Sequence, residues 1–162
     1  MIPAHFLVIL ELNSNYACRS KCRRAFFFGA KQMTDAEILT LVDRLERCLL
    51  AKEEFHHRDH LSVAVVYLYA CDLETAMDRM RSSLKRFASH HGVAGLYHET
   101  LTRFWLLQVE QRLDRRQCLE DSVRKAQEQL SDKNLAFEYY SRERIESKEA
   151  RETWLEPDLK NA

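Results

Sequence analysis

Three glycines and two prolines among 162 residues leave few places where this chain can turn sharply. A β-rich or loop-rich fold would need many more, because tight turns draw on the positive φ of glycine and the fixed φ of proline. The chain therefore reads as long helices with short connections. At this length one domain of ordinary size is expected, and it buries roughly two-thirds of the unfolded chain's surface without help from disulfides or metal.

Charge narrows the partners. Lysine plus arginine and aspartate plus glutamate number 25 each, so the formal net charge is zero. A nucleic-acid-binding surface normally shows a basic excess, so no nucleic-acid partner is expected. No apolar run approaches the ~20 residues needed to span a bilayer, so no membrane partner is expected either. The five cysteines, Cys18, Cys22, Cys48, Cys71 and Cys118, are odd in number and irregular in spacing. They read as reduced thiols in a cytoplasmic protein. Cys18-x-x-x-Cys22 lies among Arg19, Lys21, Arg23 and Arg24, a poor setting for a metal site.

Residues 1–32 differ from the rest and read as an N-terminal arm, with residues 33–162 forming a single helical domain. The apolar run His5-Phe6-Leu7-Val8-Ile9-Leu10 lacks the flanks of a secretory signal, and both a short strand and a disordered arm fit it. A third reading places the working start near Met33, where a complete helix-start signal begins. Thr34 is the N-cap, Glu37 its capping-box partner, and Met33 and Ile38 form a hydrophobic staple.

The expected fold is all-α, a compact bundle of five to six helices. The first helix runs from about Asp35 to Lys52, with Ile38, Leu41, Val42, Leu45 and Leu49 in one stripe. A second, from about Arg58 to Ala70, is apolar on nearly every side, which suits a central, buried helix. A third, capped by Asp72, reaches His91 and ends at Gly92. A fourth covers about Tyr97 to Leu113 and a fifth about Cys118 to Leu130. The charged tail keeps Phe137, Tyr139, Tyr140, Ile145 and Trp154, so it should pack back on the bundle, with Pro157 ending any helix there. Residues 64–86 faintly suggest a tetratricopeptide pair, but the 34-residue period does not recur.

The chemistry-bearing residues cluster. Phe55-His56-His57-Arg58-Asp59-His60-Leu61 places three of the seven histidines at a helix start, and Tyr97-His98-Glu99-Thr100 opens the fourth helix. Spacings of three and four set histidines on one helix face. His57, His60 and His98 are therefore the candidate ligands for a divalent metal, zinc or iron. His56, Arg58, Asp59, Tyr97, Glu99, Thr100, Arg142 and Arg144 are the candidate supporting residues of the same pocket. Glu53 and Glu54 give half of a di-iron Glu-x-x-His pattern, and the second half is missing. A histidine oriented by Glu99 or Asp59 would alternatively serve as a general base. Arg142-Glu143-Arg144 reads either as an anion clamp over the histidines or, more ordinarily, as ion pairs tying the tail down. No nucleotide-binding glycine loop or nucleophile elbow occurs.

Together with Trp154-Leu155-Glu156-Pro157-Asp158-Leu159, the segments from Phe55, Tyr97 and Tyr139 resemble an uncharacterised family of small bacterial all-helical proteins. The similarity covers about residues 33–159. It implies no established activity, and it makes the polar segments look like parts of one site. Two functions are then expected in competition. One is a His/carboxylate pocket, between the second and fourth helices, for a divalent metal or small-molecule ligand. The other is a non-catalytic helical module that binds a protein partner and whose histidines are structural.

Overall fold

The computed structural model describes residues 32–160. The expectations for residues 1–31, including the apolar run, the Cys18/Cys22 pair and the choice between a start at Met1 or Met33, lie outside the described residues. Within them the chain is helical, with no strand and eight α-helices. Five are long: α1 (Asp35–Glu46), α2 (His57–Ala70), α3 (Leu73–His90), α4 (Glu99–Arg112) and α5 (Leu119–Gln129). Three short ones, α6 (Ala136–Tyr139), α7 (Arg142–Ile145) and α8 (Lys148–Glu152), raise the number above the five or six expected. Among the described residues no helix is long and apolar enough to cross a membrane.

α1 starts as its sequence dictates. The Thr34 hydroxyl accepts the Glu37 amide at 3.3 Å, and the Glu37 carboxylate accepts the Thr34 amide at 2.9 Å. Two of the orphan amides of a helix start are satisfied reciprocally. The helix ends earlier than its apolar stripe suggests, at Glu46 rather than near Lys52. Cys48 takes a left-handed conformation, φ 55°, which turns the chain. Leu50 then enters the core at 3% exposure and Leu49, the expected stripe residue, is left outside at 53%. His91 Nε2 donates to the freed Leu50 carbonyl at 2.9 Å and pins the turn.

α2 is the central helix. All residues from Leu61 to Leu68 are buried, and α1, α3, α4 and α5 all pack against it. A helix apolar on every side is stable only when surrounded. The Tyr67 hydroxyl, the polar atom such a position must satisfy, bonds Glu46 Oε1 and Ser83 Oγ, each at 2.9 Å. Burial, reinforced by Glu46, holds the Tyr67 phenol protonated far above its ordinary range.

α3 opens on Asp72, whose carboxylate accepts the Thr75 amide at 3.0 Å. It closes on Gly92, φ 68°, with Val93 N–H bonded to Ala88 O and Gly92 N–H to Ser89 O. That is the Schellman arrangement, and a glycine supplies its left-handed residue without strain. α5 buries Leu119, Val123, Ala126 and Leu130, the narrow stripe read from the sequence. Cys48 and Cys71 are free thiols.

The tail returns to the bundle and builds a second apolar cluster on α4 from Phe104, Ala136, Tyr140 and Ile145. Trp105 and Leu135 pack against both clusters and join them.

Candidate functional site

A cavity of about 650 Å³ lies where α2, α3 and α4 converge. α2 contributes His57, His60 and Ala64, and α3 contributes Met80, Leu84, Phe87 and Ala88. α4 contributes Leu101, Thr102, Trp105 and Leu106. Lys52, Glu53 and Phe55 approach from the turn before α2, Val93, Leu96, Tyr97 and His98 from the segment before α4, and Lys133 from the turn after α5. The wall is mostly apolar, with a few polar atoms converging on it.

The fold brings His57, His60 and His98 to this one wall, each held differently. His57, in the first turn of α2, donates from Nε2 to the carbonyl of Leu130 at 2.8 Å and lies edge-on to Trp105 with ring centroids 4.5 Å apart. Its partner is the C-cap of α5, a carbonyl the helix itself leaves unbonded. His98 is the N-cap of α4. Its Nδ1 accepts the Leu101 amide at 3.2 Å, which requires a lone pair on that nitrogen. Its Nε2 faces the Ile145 carbonyl at 2.8 Å and must therefore carry the proton. The neutral Nε2–H tautomer is the form both partners demand. Burial lowers the His98 pKa in the same sense, against the opposing pull of the Ile145 carbonyl.

The ring of His60, one turn into α2, makes no hydrogen bond to a described residue. Its ring packs on Phe55 with centroids 4.2 Å apart and its remaining surface faces the cavity. Burial, with the nearby His57 and Lys133, pushes its pKa down to about 4. His60 is thus a neutral imidazole with an unspent donor and acceptor.

Tyr97 is held in the cavity wall by a charged pair behind it. Its hydroxyl donates to Glu99 Oε2 at 2.8 Å. Arg81 Nε donates to both Glu99 oxygens at 3.0 Å, and its Nη2 reaches Oε1 at 2.6 Å. Glu99 is only 5% exposed. Burial alone would raise its pKa, but the bonds from Arg81 and Tyr97 prevail and hold the carboxylate ionised. Burial first, and then the Glu99 carboxylate, keep the Tyr97 phenol protonated well above its usual range, against the opposing charge of Arg81. Glu99 therefore orients Tyr97 and contacts no histidine of the wall through a hydrogen bond.

The other expected supporting residues stand elsewhere. His56 and Arg58 are exposed, and Asp59 Oδ2 accepts the His56 amide at 2.8 Å as the cap of α2. Thr100 faces the tail, donating to the Thr153 carbonyl at 2.7 Å and accepting the Leu155 amide at 3.1 Å. Arg142 pairs with Glu146 and covers the Phe137 ring, while Arg144 Nε donates to the Glu156 carbonyl at 2.8 Å. Neither arginine lines the cavity.

Sequence reasoning missed the apolar wall as a wall. Met80, Leu84 and Phe87 were legible as the buried face of α3, and nothing in their spacing separates a residue facing a cavity from one facing a neighbour. Lys133 was missed altogether, since it reaches the site through the placement of the turn after α5. Among the described residues no group of three or more His, Cys, Asp or Glu side chains is disposed to hold a metal ion. No protein-family model, curated protein or solved structure matches the chain.

Proposed function

We propose that the protein binds a small, largely apolar organic molecule in the cavity between α2, α3 and α4. The observation that carries the reading is the cavity itself. Its volume of about 650 Å³ falls in the range of about 300–1,000 Å³ typical of small-molecule sites. Such sites combine an apolar lining with a few placed polar groups, here His60, Tyr97 and Thr102. Tyr97 is fixed by Glu99, and His60 is left with hydrogen-bonding capacity unused. A divalent metal is less well served, because both nitrogens of His98 are already engaged by backbone partners.

A neutral apolar fluorophore such as N-phenyl-1-naphthylamine tests the reading directly. Saturable one-to-one binding to the wild-type protein is expected. It should be lost in Val93→Trp, which fills the cavity from its loop wall while circular dichroism stays unchanged. A wild-type protein that gives no saturable signal would overturn the proposal.

A further inference from the structure

The polar groups at the cavity wall are unevenly charged. Three ionised side chains reach it, Lys52, Glu53 and Lys133. Lys52 and Glu53 face one another at 3.7 Å and largely cancel. Lys133 makes no ion pair with a described residue, so the wall carries one uncompensated positive charge. That charge stands on the side of the cavity where α2 begins, since His57 of that helix is bonded to Leu130, three residues before Lys133. The His60 ring, which makes no hydrogen bond to a described residue, faces the same space. To the same cavity α3 presents only Met80, Leu84, Phe87 and Ala88, with no polar side chain.

Resting on the small-molecule reading above, we infer that the ligand is an amphiphilic monocarboxylate, its anionic head between Lys133 and His60 and its hydrocarbon body along α3. One net positive charge matches one negative charge, and a second anionic group would find no cation left for it. The His60 imidazole, neutral and carrying one N–H, donates to a carboxylate oxygen without first having to break a bond to the protein. Met80, Leu84 and Phe87 offer the hydrocarbon body apolar contact and no buried polar group that it would leave unsatisfied. A cationic amphiphile of the same length would meet Lys133 as a like charge.

The test is displacement of the bound neutral fluorophore by decanoate, decanol and decylamine, each below its micellar concentration. Decanoate is expected to displace it at about tenfold lower concentration than decylamine, with decanol between, a size ordinary for one partly solvated charge. Lys133→Gln should bring the three ligands within about twofold of one another once each displacement is referred to the fluorophore's own affinity in that variant. Equal displacement by decanoate and decylamine overturns the inference, as does a decanoate preference that survives Lys133→Gln. Failure of the fluorophore to bind at all would remove the small-molecule reading itself, a result distinct from either.

Discussion

At His60 the cost of burying an imidazole falls on its charged form. The ordinary pKa of 6.5 drops to about 4 because burial, His57 and Lys133 all disfavour the imidazolium. As pH falls through that window the unfolded chain takes up a proton that the folded chain refuses. The stability associated with a neutral His60 is therefore complete above pH 6.5 and drains away toward pH 4. The full loss is on the order of 3 kcal/mol. Urea unfolding of wild type and His60→Phe at neutral pH and near pH 4 should show the wild type losing more by about that amount. Equal acid sensitivity in the two proteins would show that His60 is not the group responsible. Much of this was hidden from the sequence. The cluster of histidines was plain, but the isolation of one of them depends on Phe55 closing over it and on Lys133 arriving from the far side of α5.

The elements themselves were more legible, because each is governed by neighbours a few residues away. The Thr34–Glu37 box, the Asp72 cap and the Gly92 terminator follow from local rules, and the structure uses all three. Thr34→Ala should accordingly cost about 1 kcal/mol, read as a lower urea midpoint with an unchanged slope. An unaltered midpoint would mean that α1 is held by its buried stripe alone. The exit of α1 is the instructive failure. Periodicity carried the helix on through Leu49, yet the core takes Leu50 and the chain turns at Cys48, which has no glycine's licence for a positive φ. The decisive contact is the His91 bond to Leu50 O from the other end of α3, and no window of sequence around residue 48 contains it. His98 shows the same division: its place at a helix start was readable, but its grip on Ile145 was not.

The molecule as a whole rests on two apolar clusters, the bundle core around α2 and the smaller one that the tail builds on α4. The polar segments of the tail serve this second cluster. Ser141 bonds Asp158 through both its amide and its hydroxyl, at 2.9 and 2.6 Å, and the Tyr140 hydroxyl reaches the Leu155 carbonyl at 2.9 Å. The two segments from Tyr139 and Trp154, both conspicuous in the sequence, thus fasten to one another. Thr100 is the hinge of that attachment to α4, so Thr100→Val should release the tail at a cost of about 1–3 kcal/mol. Amide exchange should then quicken over residues 136–159 and leave α2 and α3 protected. A uniform quickening would instead mean that both clusters unfold as one unit. Trp105 touches both, lying edge-on to Phe104 with centroids 5.1 Å apart on one side and lining the cavity beside His57 on the other. The chain has only one other tryptophan, Trp154 in the tail. In a Trp154→Phe background the emission of Trp105 becomes an internal gauge, shifting in wavelength when the cavity fills or the tail lets go.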